Sequence, residues 1–295
     1  MKDILGKIRR NEIEYTEPEK GLVKPTYITE DYVVQESKNS EGLGLRKNSY
    51  ICRVLHEDGV NVPKVYKVND EPVYAVFERL KGIPLDNKEG FETEDYLKAV
   101  ESAGRELAKI HSVEVSGYGK PDNDEGFERG KYDNWRAFVE DYIEGTRSWA
   151  ESERFAPIAR KAVDIVDLEE IPENPYSGVL HMDFTLDNII VDNDLEAQVI
   201  DFDGSLYGEP VLDLMYAEII MSKRGDDVLQ AFKKGYKAVR DVEVGEKDRK
   251  NYTALAVMRD LRGGEWCLRN NKDVDLDEWS EGLSSIVERL ADKQD

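Results

Sequence analysis

Cysteine, histidine and net positive charge are all scarce in this chain. Its two cysteines, Cys52 and Cys267, stand far apart in no paired spacing, so neither a disulfide framework nor a zinc site is expected. Three histidines (His56, His111 and His181) are too few for a histidine-rich metal site, and any metal here would be a hard cation held by oxygen ligands. No run approaches the roughly 18 apolar residues of a membrane span. The first ten residues mix charge with apolar side chains and lack the apolar core of a secretory signal. A cytoplasmic location with no membrane partner is the expectation. Basic residues are outnumbered, 41 Lys and Arg against 63 Asp and Glu, for a formal charge of −22. Nucleic acid is thereby a poor partner, because a phosphate backbone needs a positive footprint. The acid is spread along the whole chain, which favours a solvated surface suited to high salt over an acidic cleft built for a cation.

What is present is ordinary for a folded protein. The 295 residues, 40% hydrophobic, can bury a large core in one or two lobes. The first third reads as strands: Val23–Thr29 and Tyr32–Glu36 around a Glu-Asp turn, then Lys64–Val68 and Val73–Glu78. Between the pairs a helix is expected over Leu45–Glu57, stopping near Gly59 and Pro63. From Thr93 the apolar period becomes helical through Leu97, Val100, Leu107 and Ile110, ending near His111. Further helices are expected over Asn134–Glu144, Asp213–Ser222, Val228–Val239, Lys250–Arg269 and Leu276–Leu290. A compact β-type region, Val179–Leu180, Asn188–Val191 and Gln198–Ile200, lies among them. The Gly/Pro break Lys81-Gly82-Ile83-Pro84 marks the expected lobe boundary, dividing residues 1–80 from 81–295. The class is α+β.

The chemistry concentrates between His181 and Asp203. Phosphoryl transfer asks a protein for an oriented hydroxyl nucleophile, one or two Mg²⁺ ions on the phosphates, and fixed geometry. In His181-Met182-Asp183, the carboxylate of Asp183 stands on a loop just ahead of an apolar strand, where it can orient a hydroxyl and accept its proton. Asn188 opens that strand, Ile189–Val191, and Asp201 follows a second one, Gln198–Ile200, across the turn Asn193-Asp194. If the strands form a hairpin, Asn188 and Asp201 meet at its open end as a two-ligand Mg²⁺ site. Singly, Asp and Asn are common turn residues. The combination, with Asp213 downstream, points to phosphotransfer.

This arrangement resembles the aminoglycoside phosphotransferase and choline kinase family, whose fold is protein-kinase-like. The family's His-Gly-Asp, Asn and Asp-x-Asp elements correspond to His181-Met182-Asp183, Asn188 and Asp201-Phe202-Asp203. Gly208-Glu209-Pro210-Val211-Leu212-Asp213-Leu214 is similar to its Gly-x-Pro-x-x-Asp-Leu element. Leu107–Ser112 and the hinge-like Val76–Gly82 extend the likeness over about residues 20 to 220. The resemblance implies two lobes, a small antiparallel-sheet N-lobe and a mostly helical C-lobe, with ATP and Mg²⁺ as cofactors. It implies Asp183 as catalytic base, Asn188 and Asp201 as metal ligands, and Asp203 as a further metal or loop contact. Backbone groups of Glu78 and Leu80 would meet the adenine edge. Asp213 and His181 would brace the catalytic loop.

The departures are specific. Met182 replaces the usual glycine, and the segment Gly21–Tyr27 over the phosphates has one glycine. Gln35 and Asn48 stand where most kinases of this fold pair a Lys with a Glu, leaving Lys24 or Lys38 to supply positive charge beside Gln35 at the nucleotide. The implied acceptor is a hydroxyl of an amino-sugar, sugar or amino alcohol. Candidate acceptor contacts are Trp135, Arg136 and Tyr142, and Asp260, Arg262, Glu265, Trp266 and Arg269 on one late helix. The alternative to a small-molecule kinase is a nucleotide-binding pseudokinase that regulates a partner, which the neutral Gln35/Asn48 pair favours. Protein kinase activity is disfavoured because Asp201-Phe202-Asp203 runs almost directly into Gly208–Asp213, with no activation segment.

Overall fold

A short helix, α1 (Ile4–Arg9), precedes the first sheet and covers one of its faces. The structure is a computed structural model that describes residues 3–18, 24–39, 41–150, 154–272 and 274–292. Strands β1 (Thr26–Ile28) and β2 (Tyr32–Glu36) form a tight antiparallel pair with Tyr27 opposite Val34. Helix α2 (Leu43–Glu57) follows, then β3 (Val65–Asp70) and β4 (Val73–Glu78), giving an antiparallel sheet of order β1-β2-β4-β3. Alternation along β4 explains why it is buried on both faces. Tyr74 and Val76 pack with Ile4, Leu5 and Ile8 of α1, while Val73, Ala75 and Phe77 join Leu45, Ile51 and Leu55 of α2.

The expected lobe boundary is a stitched connection. Ile83–Pro84 form a short strand, β5, whose Ile83 pairs with Val191. Gly82 permits the approach: its φ is 147°, and a Cβ there would lie 2.1 Å from the Val191 carbonyl oxygen. The remainder is mostly helical. In chain order come α3 (Thr93–Ser112), β6 (Tyr118–Pro121), β7 (Gly130–Tyr132), α4 (Trp135–Trp149), α5 (Ala156–Ile165), β8 (Gly178–Leu180), β9 (Ile189–Val191), β10 (Ala197–Val199), β11 (Leu206–Gly208), α6 (Pro210–Ser222), α7 (Asp226–Val239), α8 (Glu246–Arg269) and α9 (Leu276–Ala291). No helix among the described residues is long and apolar enough to cross a membrane.

Several boundaries differ from those expected. Helix α4 runs to Trp149 rather than Glu144, begun by Asn134, whose side chain accepts the Ala137 N–H at 3.0 Å. Helix α6 starts at Pro210, which suits a first helical turn because its missing N–H would have no partner there. Helix α8 starts at Glu246, and α2 starts at Leu43. Strand β1 begins at Thr26; Val23 and the Gly21–Val23 part of the glycine-poor stretch lie outside the described residues. Helix α5 and the strands β6, β7 and β11 are additions, the strands each only three or four residues long.

Topology positions the site. Strand β8 pairs with β11, Leu180 opposite Leu206, and β9 pairs with β10, Ile189 opposite Val199. The loop from β8 to β9 and the loop from β10 to β11 are therefore fastened together at both ends. Beneath them α3 and α7 pack at backbone distance: a Cβ on Gly235 would lie 1.8 Å from the Glu101 carbonyl oxygen, and one on Gly104 would lie 2.2 Å from that of Phe232. Replacement Gly235→Ala must force the helices apart, and is expected to cost about 1–3 kcal/mol, measured as a lowered midpoint in denaturant unfolding. An unchanged midpoint would contradict this packing.

Candidate active site

Asp213 lies on the first turn of α6 and is fully buried. Its carboxylate accepts the backbone N–H of His181 at 2.6 Å and of Met182 at 2.9 Å, and faces His111 Nε2 at 3.1 Å. Burial alone would raise this carboxyl, but the hydrogen bonds it accepts from the His111 ring and the His181 N–H help to outweigh it and hold it below the usual carboxylate range. His111 is buried too, and desolvation pulls its imidazole below the usual value against the pull of Asp213. The neutral ring meets both its neighbours with the proton on Nε2, leaving Nδ1 to accept from Tyr236 Oη at 2.8 Å.

Met182 takes φ 61°, the left-handed region that favours glycine. A methionine is held in it because its N–H is bound by Asp213, its side chain is buried, and its carbonyl accepts from Arg259 Nε at 2.6 Å. His181 links the two loops: Nε2 faces the Ile200 carbonyl at 3.0 Å and Nδ1 faces the Asp183 N–H at 3.2 Å. Its ring lies between Phe184 and Phe202. These contacts leave both ring nitrogens engaged.

Asp183 is half-buried, with its carboxylate held at both oxygens. Oδ1 accepts from Arg259 Nη2 at 3.0 Å, and Oδ2 from Asn188 Nδ2 at 3.2 Å. The same Asn188 nitrogen lies 3.0 Å from the Asp183 carbonyl and 3.2 Å from Thr185 Oγ1. Across the hairpin, Ile200 N–H donates to the Asn188 carbonyl at 3.0 Å, which places Asp201 one residue beyond that pair at the open end. Asp201 is exposed and, at φ 65°, left-handed. Asp203 Oδ1 is buried with no hydrogen-bond partner among the described residues, while Oδ2 forms an ion pair with Lys24. Burial and the neighbouring Asp201 charge push the Asp203 carboxyl up.

Of the expected nucleotide-side residues, Lys24 reaches this acidic loop and Lys38 does not; Lys38 is exposed. Gln35 and Asn48 are not bonded to each other. Gln35 Oε1 is buried without a partner among the described residues, and Asn48 Oδ1 accepts from Phe202 N–H at 3.3 Å and Cys52 Sγ at 3.4 Å. Glu78 ends β4, its N–H donating to the Lys64 carbonyl at 2.8 Å, and Leu80 makes no backbone hydrogen bond among the described residues.

Most of the acceptor candidates are engaged with other side chains or with backbone groups. Trp135 is core, its Nε1 donating to Tyr252 Oη at 3.1 Å, and Arg136 holds the Ile171 carbonyl. Asp260 is neutralised by Lys223 at 3.0 Å, and Glu265 pairs with Arg269 at 3.1 Å. Trp266 is 42% exposed and stacks with Lys272, on the outer face of α8. Arg262 lies over Tyr142 and Trp149. Two residues escaped the sequence reading. Arg259 reaches Asp183 from α8, and Lys47 Nζ donates to the carbonyls of Asp203 at 2.6 Å and Ser205 at 3.1 Å. Burial pulls the Lys47 ammonium down to about 8. The only local signal was position: Lys47 adjoins Asn48, and Arg259 adjoins Asp260.

Comparison with known proteins accords with this geometry. The model of the phosphotransferase enzyme family matches residues 17–247. The chain belongs to that family. Over 180 residues it is 25% identical to hygromycin-B 4-O-kinase of Escherichia coli, a match covering 58% of this chain and 51% of that protein, so the chain spans about half the length of this curated relative. Among solved structures, aminoglycoside phosphotransferase APH(4)-Ia is similar with TM-score 0.73 at 18% identity, over 97% of this chain and 98% of that one. Its ternary complex with ADP and hygromycin B, solved on a thermostable mutant, gives 0.73 at 18% identity over 98% of both chains. ADP-bound APH(2'')-Ib gives 0.61 at 15% identity over 97% and 96%. The fold of this family member is thus the expected two-lobe, protein-kinase-like one, with a small sheet lobe and a helical lobe.

The buried His111–Asp213 pair generates a pH dependence. A histidine whose folded value is depressed stabilises the fold above its unfolded value, about 6.5, and loses that contribution as pH falls through the folded value. Asp213, also depressed, adds a second loss below about pH 4. Unfolding free energy is therefore expected to decline from pH 7 toward 5 in the wild type and to decline less in His111→Gln. Equal slopes would contradict the neutral, buried imidazole.

Proposed function

We propose that this chain transfers the γ-phosphoryl group of ATP to a hydroxyl of a small molecule, an amino-sugar, sugar or amino alcohol, with Asp183 as general base. The observation that carries this reading is the Asp183 carboxylate, held by Asn188 and Arg259 on a loop fastened beside the one bearing Asp201 and Asp203. Residues 1–80 would form the nucleotide-binding lobe and 81–295 the catalytic and acceptor lobe. The relatives support the donor and the acceptor class: one is named a hygromycin-B 4-O-kinase, and a solved neighbour holds ADP and hygromycin B. Consumption of ATP agrees with the cytoplasmic location expected from the sequence.

The donor set fits Mg²⁺. Asn188 turns its amide nitrogen to the catalytic loop through three contacts, which leaves Oδ1 directed elsewhere as a neutral oxygen ligand. Asp201 presents an exposed carboxylate, and the orphaned Asp203 Oδ1 beside it adds unbalanced negative charge. Among the described residues no three His, Cys, Asp or Glu side chains form a metal cluster by themselves. Mg²⁺ needs none, since it takes one or two carboxylates together with phosphates and water. Asn188 and Asp201 would hold it, with Asp203 and Lys24 next to them. Bound Mg²⁺ would neutralise phosphate charge.

The chain's own residues supply orientation and proton transfer. Arg259 and Asn188 fix the plane of the Asp183 carboxylate, so an acceptor O–H is aligned before it reacts. As the oxygen bonds to the γ-phosphorus and the bond to the β-bridging oxygen breaks, Asp183 takes the hydroxyl proton. Lys24 supplies the positive charge that the neutral Gln35 lacks, and backbone groups at Leu80, unbonded among the described residues, suit the adenine edge. Asp183→Ala is expected to lower kcat by about 10²–10⁴-fold with ATP affinity within a few-fold of wild type, read by coupled ADP release and by nucleotide titration. Wild-type turnover in that variant rules out the mechanism.

A further inference from the structure

Helix α2 grips the acidic loop with two adjacent residues. Lys47 Nζ donates to the carbonyls of Asp203 and Ser205, and Asn48 Oδ1 accepts the N–H of Phe202. Three backbone groups of a four-residue stretch are thus held by one turn of one helix. The loop needs holding. Asp201 sits in the left-handed region without being glycine, and such backbone persists only when its surroundings impose it. Within the loop itself, Asp201 accepts only a long hydrogen bond from Asp203 N–H at 3.4 Å, while Ser205 Oγ closes on the Phe202 carbonyl at 2.6 Å. Neither the Gln35 nor the Asn48 side chain links β2 to α2; α2 meets the sheet through apolar packing on β4 and the Arg46–Asp70 ion pair, and meets the loop through Lys47 and Asn48.

Resting on the phosphotransferase reading, in which Asp201 is a magnesium ligand, we propose that Lys47 is a positioning residue that holds the Asp201–Ser205 loop in its metal-binding conformation from α2. It acts through the backbone. Two of its three N–H donors are taken by carbonyls, which distinguishes it from a lysine that grips phosphate directly. Lys24, which reaches the Asp203 carboxylate itself, is the side chain available to the phosphates. The consequence is a division of labour. Removing Lys47 should weaken the magnesium-dependent part of nucleotide binding and leave the magnesium-independent part intact. Any movement of α2 would also be transmitted to the metal ligand.

The test titrates ADP into the full chain, first in EDTA and then with increasing Mg²⁺, for wild type, Lys47→Met, Lys47→Arg and Asn48→Ala. Lys47→Met is expected to bind ADP in EDTA within about twofold of wild type, while the Mg²⁺ concentration giving half-maximal enhancement rises about 10–100-fold, the range for residues that orient metal ligands. Lys47→Arg, which can still donate to two carbonyls, should recover most of this, and Asn48→Ala should show a smaller shift of the same kind. In turnover, kcat should fall with acceptor KM unchanged. Equal weakening in EDTA and in Mg²⁺ overturns the proposal in favour of direct phosphate contact. Wild-type behaviour of Lys47→Met overturns it outright. Thermal melts identify any variant that fails to fold, in which case Lys47→Arg and Asn48→Ala carry the comparison. Wild-type ADP binding that gains nothing from Mg²⁺ overturns the phosphotransferase reading, and this proposal with it.

Discussion

One buried carboxylate organises the catalytic loop. Asp213 receives two consecutive backbone N–H groups, from His181 and Met182, and a buried imidazole. Unpaired, it would impose a heavy desolvation cost in the core of the helical lobe. Paired in this way, it fixes the peptide that carries Met182 into a left-handed conformation and so sets the direction in which Asp183 leaves the loop. His181 then carries the constraint across to Ile200, one residue before Asp201. The proposed base and the proposed metal ligand are therefore indexed to the same interior point, through two side chains that bond backbone groups of the loops.

Charge balance around the site differs from that of the molecule. The chain as a whole carries −22, yet two carboxylates of the two loops are met by cations, Asp183 by Arg259 and Asp203 by Lys24, with Lys47 against the loop backbone. Such pairs are shielded from salt far better than the surface acid is. An acidic surface and a site that gathers cations are compatible for this reason.

The hairpin was legible because its signals are local: two apolar triplets, a turn between them, and polar residues at the open end. Asp213 and His181 were legible for the same reason, each lying within a short motif. Arg259 and Lys47 were not. Arg259 meets Asp183 from 76 positions away and Lys47 meets Asp203 from 156, with no local signal beyond their adjacency to Asp260 and Asn48. The partners of Asp260 and Glu265 were equally hidden. Both acids suited a cationic ligand, but Lys223 and Arg269 had already neutralised them, a fact fixed by helix packing rather than by spacing. Strands of three residues, such as β7 and β11, exist by pairing with neighbours and carry no periodicity of their own.

The central claim, that the loops around Asp183 and Asp201 transfer phosphate to a hydroxyl, is tested most directly by phosphorus NMR. Wild-type chain, ATP and Mg²⁺ would be incubated with amino-sugars, sugars and amino alcohols at low and high salt. The account requires a phosphomonoester resonance to grow with one of these acceptors, in step with the β-phosphate of ADP. Tight ATP binding with no ester from any acceptor, or with inorganic phosphate as the sole product, would contradict it.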